Sequence, residues 1–417
     1  MYEQIFDEIV EIMHNDYSGC NDKKGWDRPA YFKKQIQPDF SPTEFVDLVK
    51  DYLLDFKDAH MTFRLSDRSD EKVYEPGFKV RRYEDALYIT EILHDQDVKI
   101  GEKIVSLDDQ SISEIRASLD RMFLEKENER ENWQPILMRY ETAQLVDSES
   151  NQRTIELIKY EKNPYSPTYS IEKINDDTLF MTLTDFDDPD AIIQLIEQNE
   201  QLLNETKNLI IDVRINYGGS DGAFYKLLSY LFPEGETLID LNEDYEMEYN
   251  CTPLNVETMV ADINETLEQI EDQRMKETLQ QLAQTLEENK GKGFVDFGTD
   301  TSVNLTGNRF PESIVVLADT YCGSAGDIFI EIVKMSPKVT VIGRPTAGLN
   351  DYANLTIKKW NDRFELWYPV SRLKRIDRGE GMTGTGIHPD IYIPWSPQHL
   401  EKDLDLEKAM QILKEKE

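Results

Sequence analysis

The chain has 417 residues, 39% of them hydrophobic and 10% aromatic, with a formal net charge of −36 at pH 7. That length exceeds one compact domain, so two or three substructures are expected. Aromatic residues recur along the whole chain, which sets intrinsic disorder aside, and the acidic field sets aside nucleic acid and membrane surfaces as partners.

No apolar run reaches bilayer-spanning length. The opening MYEQIFDEIVEIM places acids where a signal peptide needs positive charge, so a cytoplasmic setting is expected. Cys20, Cys251 and Cys322 lie far apart, with neither zinc spacing nor a disulfide framework. No cofactor or metal is expected, and a homo-oligomer is compatible with the sequence.

In chain order, residues 2–14 and 43–57 carry helical stripes, Ile5, Ile9, Ile12 and Met13 in the first and Phe45, Val49, Leu53 and Leu54 in the second. Ser41-Pro42 supplies an N-cap and a proline at the first helical position. From Val73 the pattern changes to period two. Strands are predicted at Phe78–Arg81 and Leu87–Thr90 with a turn at Glu84-Asp85. Gly101 breaks the chain before a strand over Lys103–Leu107, Asp108-Asp109 turns it, and Ile112 begins a helix. That last stretch resembles a PDZ domain, with Glu102 where an Asp is usual and Gln110 where a Gly is usual.

From Tyr169 onward strands alternate with helices. Strands are predicted at Leu179–Leu183, Leu209–Val213, Ile314–Leu317 and Val339–Ile342, and helices at 221–232 and 325–335, so a covered parallel sheet of βαβ units is expected. An acidic segment at about 240–295 carries Met259, Ile263, Leu267, Ile270, Leu279, Leu282 and Leu286 at helical spacing and reads as a lid or packing arm. The expected division is an N-terminal helical element over 1–66, a PDZ-like β-rich domain over 67–165 and an α/β core over 166–417.

Two stretches could carry chemistry. In SIVVLADTYCGSAGD a buried strand ends, Cys322-Gly323-Ser324 makes the turn and a helix begins at once. A serine there projects at a helix N-terminus, whose unpaired N–H groups suit a developing oxyanion. Ser324 and Asp327 also fit a capping box, a purely structural device. In LIIDVRINYGG the pair Gly218-Gly219 follows a strand and can bring backbone N–H groups close to a ligand. An ordinary strand-to-helix turn would leave Asp212 and Arg214, beside those glycines, without a reason.

Together LIIDVRINYGG, VVLADTYCGSAGD, VTVIGRPTAG and GIHPD, in that order, resemble the serine peptidase family of C-terminal processing proteases, tricorn core proteases and retinoid-binding-protein repeats. The resemblance implies a ClpP/crotonase-like core, a PDZ-like domain gripping peptide or protein substrates, and peptide hydrolysis through an acyl-enzyme. Ser324 becomes the nucleophile, with the N–H groups of Gly218 or Gly219 and of Ala325 holding the oxyanion. The processing-protease branch keeps a lysine where this chain has Leu349. The tricorn branch uses an upstream histidine, and FKDAHMTF supplies His60 as the base. Where the family often has a glutamate this chain has Thr383, so Glu380, Asp377 or Asp327 is expected on the second ring nitrogen of His60. Two other readings stand beside this one. A catalytically degenerate peptide-binding scaffold is favoured by Thr383 and Leu349. An acyl-CoA enzyme on the related core lacks the basic residues that the CoA phosphates need.

Overall fold

The apolar runs Thr178–Leu183, Asn208–Asp212, Ser313–Ala318 and Val339–Gly343 pair in parallel, Leu209 opposite Ile314 and Ile314 opposite Val339. In this computed structural model, which describes residues 1–67, 73–241, 245–270, 273–298 and 301–415, they form the centre of a 6-stranded sheet. Tyr169–Asn175 closes one edge antiparallel and Ile391–Tyr392 the other in parallel. Ile210, Val315, Leu317 and Ile342 pack with Ala409, Ile412 and Leu413 of the last helix, Leu404–Glu415. Their neighbours Ile314 and Val316 are equally buried and point to the opposite face. Burial on both faces is why these strands are apolar at consecutive positions.

Chain contacts group the residues into two units. Met1–Glu71, Asp240–Val303 and Leu349–Thr383 make the first; Lys72–Ile239, Asn304–Gly348 and Gly384–Glu417 make the second, which holds the parallel sheet.

The second unit also contains an antiparallel β-rich sheet of Phe78–Tyr83, Ala86–Ile92, Lys103–Leu107, Thr142–Val146 and Gln152–Glu156. Asp108 and Asp109, at φ 43° and 62°, make the tight turn that carries Lys103–Leu107 back onto Gln110–Ser111. Ser111 and Glu114 then cap the helix Ile112–Ser118 reciprocally. Phe78, Leu87, Ile89, Ile104, Leu107, Ile112, Ile115 and Trp133 fill the core beneath.

This β-rich sheet is tied to the parallel one by buried charge. Arg81 clamps Asp319, at the end of Ser313–Ala318, through two bonds of 2.7 and 2.6 Å. Arg344 bonds the same carboxylate at 2.8 Å and reaches Asp405 at 2.8 and 2.6 Å. Arg214 joins Asp405 at 3.2 Å to Asp403 at 2.8 Å and Asp212 at 2.7 Å. Asp212 and Arg214, read from sequence as residues that needed a chemical reason, are therefore members of a structural ion network.

In the first unit, the helices Tyr2–Asn15 and Pro42–Leu53 bury Ile5, Ile9, Ile12, Met13, Phe45, Val49 and Leu53 against Phe63, Trp360, Phe364, Leu366 and Tyr368. Those partners belong to a 5-stranded antiparallel sheet of Thr62–Leu65, Phe364–Leu373, Met247–Cys251, Gly293–Asp296 and Tyr352–Trp360. Ser41 and Glu44 cap the second helix as the sequence predicts. The helix stops at Leu53 rather than 57, because a tight turn over Leu54–Phe56 leads into left-handed Lys57 at φ 48°. The acidic segment folds as two helices, Pro253–Gln269 and Gln273–Asn289, which close a small cluster of Cys251, Val256, Ile263 and Leu286.

The ion network makes a prediction. Burial by itself raises a carboxyl, yet the adjoining guanidinium groups hold Asp319, Asp403 and Asp405 below the usual carboxylate range. Their contribution is present above the unfolded-state value of about 3.9 and is lost as pH falls through the lower folded values. Stability should hold from pH 7 to about 5 and drop below about 4. Asp405→Ala, which leaves Arg344 and Arg214 short of a buried partner, should cost about 3–5 kcal/mol in urea unfolding. A variant as stable as the parent would show that the network is replaceable.

Candidate active site

The strand pair Tyr321–Cys322 and Ile215–Asn216 lies beyond the ends of Ser313–Ala318 and Asn208–Asp212, and Ser324 follows as the residue just before the helix Ala325–Lys334. Its backbone sits at φ 57°, ψ −121°. That conformation suits glycine and costs a residue with a Cβ about 1–3 kcal/mol, so the surroundings must impose it. They do so by hydrogen bonds. Gly323 donates to the Asn216 carbonyl at 3.0 Å, Ser324 N–H to Asp327 Oδ2 at 2.8 Å, and Asp327 N–H back to the Ser324 carbonyl at 2.8 Å. The reach-back half of the capping box is thus real, and Ser324 is half-buried.

Gly218 lies directly against this turn. A Cβ on Gly218 would come within 2.7 Å of Ser324 Cβ, and one on Gly219 within 2.3 Å of the Phe186 backbone. Both have positive φ, 81° and 132°. The Gly218 N–H, one of two alternatives the sequence left open for an oxyanion, donates to Asn216 Oδ1 at 3.0 Å. Asn216 is buried and ties its other amide group to the Leu183 carbonyl at 3.0 Å, so that N–H is engaged. Among the described residues the N–H groups of Gly219 and Ala325 have no acceptor. Ala325 is the first helical residue, where an orphan donor is inherent. Ala325 follows Ser324 in the chain, and Gly219 follows the Gly218 that packs against it.

The other shared motifs hold the turn in place. Asp327, fully buried, also accepts the Gly348 N–H at 2.9 Å, and the Ala347 N–H donates to the Cys322 carbonyl at 2.6 Å. Thr346 Oγ1 accepts the Ile387 N–H at 2.9 Å, while Gly386 packs so tightly that a Cβ would sit 1.9 Å from the Thr346 carbonyl. Asp390 Oδ2 accepts the Val341 N–H at 2.8 Å. From the β-rich sheet side, Arg130 donates to the carbonyls of Pro345 and Thr346 at 3.0 and 2.8 Å. Burial pushes the Cys322 thiol well up, with Asp327 adding to the effect, so it is an inert packing group rather than a nucleophile.

His60, Glu380 and Asp377 belong to the first unit. Asp58 Oδ1 accepts the His60 backbone N–H at 3.0 Å, and Asp58 Oδ2 accepts the Tyr17 hydroxyl at 2.6 Å. His60 Nδ1 lies 2.8 Å from the Tyr352 carbonyl. A carbonyl oxygen only accepts, so Nδ1 carries the proton and a neutral ring keeps its lone pair on Nε2. Among the described residues Nε2 has no hydrogen-bond partner. The acid expected on the second nitrogen is therefore replaced there by a main-chain oxygen. Glu380 pairs with Arg378 Nε at 2.6 Å, and Asp377 with Arg372 Nη2 at 2.6 Å, a bond that holds the Asp377 carboxyl below its ordinary value. Asp351, which sequence reasoning missed, is buried and accepts the N–H groups of Met382 and Thr383 at 3.0 and 2.7 Å. Asn216 was also missed, although it stands inside the glycine motif; the Tyr352 carbonyl leaves no mark in any sequence.

The solved structures agree with this fold. Mature CPAF superposes with a TM-score of 0.70 at 14% identity, over 99% of this chain and 96% of that one. CPAF complexed with lactacystin gives 0.68 at 13% identity, over 99% and 97%. The photosystem II D1 C-terminal processing protease aligns over 99% and 97% at 14% identity, with a TM-score of 0.45 that carries no weight. No curated protein sequence matches significantly. Residues 177–393 match a family model, just over half the chain and including the serine turn, and the class they define is serine-type peptidase, a hydrolase. The chain belongs to peptidase family S41.

The strain at Ser324 can be measured. Ser324→Gly should keep the stability of the parent or raise it by about 0.5–1 kcal/mol, because glycine adopts this backbone freely. A loss above about 1 kcal/mol would mark the side chain as a structural cap. Gly219→Ala, which forces a Cβ into the Phe186 backbone, should lower the thermal midpoint in the same assay.

Proposed function

We propose that the chain hydrolyses peptide bonds in peptide or protein substrates through an acyl-enzyme, with Ser324 as nucleophile and His60 as general base. The observation that carries this is the strained Ser324 turn with the acceptor-free N–H groups of Gly219 and Ala325 beside it. Ser324 Oγ attacks the scissile carbonyl carbon while His60 Nε2 takes the hydroxyl proton. The carbonyl oxygen becomes an oxyanion that accepts from Gly219 and Ala325, a stabilisation present only as charge develops. His60 returns the proton to the departing amine, and water repeats the sequence on the ester. The Nδ1–H bond to the Tyr352 carbonyl supports His60 in this role, since it leaves Nε2 as the unprotonated nitrogen.

The finer architecture we propose is a ClpP/crotonase-like peptidase core over the parallel sheet, with the β-rich sheet as a PDZ-like unit. The tight Asp108-Asp109 turn followed by the capped helix Ile112–Ser118 supports the second assignment. Strand addition at the free side of Phe78–Tyr83 would have to displace Gln134, whose amide, turned to suit both groups, bonds the Phe78 carbonyl at 3.2 Å and the Val80 N–H at 3.1 Å.

Labelling with a fluorophosphonate tests the reading, because only an activated serine reacts. The parent chain should be labelled, and Ser324→Ala should not. His60→Ala should lower labelling and peptide hydrolysis roughly 10²–10⁴-fold with the fold intact by circular dichroism. An unlabelled parent, or full activity without His60, would overturn it.

A further inference from the structure

Ile215 pairs with Tyr321 and Asn216 with Cys322. Strand alternation sends Asn216 and Cys322 inward, both at 0% exposure, and leaves Ile215 and Tyr321 outward at 40% and 42%. Tyr217, two residues beyond Ile215, is 53% exposed. The ribbon thus exposes Ile215, Tyr217 and Tyr321, with Lys79, paired to Glu91 at 2.8 Å, near both tyrosines, and its strands run straight into Gly218-Gly219 and Ser324.

Both rings have packed neighbours. Tyr165 meets Tyr217 edge to face at 5.4 Å between centroids, and its hydroxyl donates to the Thr184 carbonyl at 3.1 Å. Tyr321 lies over the Arg81 guanidinium, 6.0 Å from its centroid, and that guanidinium is already committed to Asp319. Exposed aromatic side chains fixed by neighbours lose little freedom when a partner covers them. Solvation alone would be served better by polar residues at these positions.

We infer that this ribbon is a substrate subsite, receiving an apolar or aromatic side chain of the peptide beside the scissile bond. Tyr217 and Tyr321 are its specificity-determining residues. The inference rests on the proposed peptidase reading and names the substrate class for that same site.

The test uses the full chain carrying Ser324→Ala and fluorescent peptides identical except for a central Phe, Leu, Ser or Asp. The Phe and Leu peptides should bind at least about 10-fold more tightly than the Ser and Asp peptides. Adding Tyr217→Ser and Tyr321→Ser should abolish the difference by weakening the apolar peptides alone. Should the double variant melt early, the single change Tyr217→Asp serves in its place. Equal binding of all four peptides, or a preference that survives these changes, overturns the inference. The parent chain separates the two readings. Fluorophosphonate labelling with cleavage indifferent to the central residue sinks this subsite alone. No labelling, with the aromatic preference in binding intact, sinks the peptidase reading and upholds the surface.

Discussion

The Asp319 carboxylate is where the second unit is joined. It ends the strand that leads to Ser324, and two guanidinium groups from distant segments converge on it, Arg81 from the β-rich sheet and Arg344 from the loop after Val339–Gly343. Buried ion pairs are expensive to desolvate and give modest net stability, so their value lies in geometry. A shifted strand or misplaced helix would strand a charge without its partner. Because Arg344 passes the constraint to Asp405 in the last helix, the β-rich sheet, the parallel sheet and the C-terminal helix share one register. The Ser324 turn inherits its position from that register.

Around the turn, the same logic is carried out through side chains that bond the backbone. Asn216 and Asp327 each bond backbone groups of the loops flanking Ser324. The strain of a positive-φ serine is balanced by this lattice of short hydrogen bonds. Among the described residues the N–H groups of Gly219 and Ala325 have no acceptor, whereas those of Gly218, Gly323 and Ser324 do.

His60 is oriented by the Tyr352 carbonyl instead of a carboxylate. A carbonyl fixes the tautomer as well as an acid does, but it carries no full negative charge. Nearby, Asp351 holds the Met382–Thr383 backbone by accepting both N–H groups.

Much of this was legible in the sequence. The central strands lie within one or two residues of where apolar runs placed them, because burial on both faces of a parallel sheet writes itself as continuous hydrophobicity. Ser324 and Gly218-Gly219 were visible too, since a turn that needs glycine or a helix start is encoded by neighbours in the chain. The pairing of Asp212 with Arg214, the role of Asn216 and the grouping of 240–303 with 1–71 were not. Nor was the acceptor of His60 Nδ1, a carbonyl 292 positions away. Local conformation depends on adjacent side chains and is recorded in the order of residues. The partner of a buried ion or of a ring nitrogen is chosen by which segments the folded chain brings together, and a backbone carbonyl is the same atom at every position.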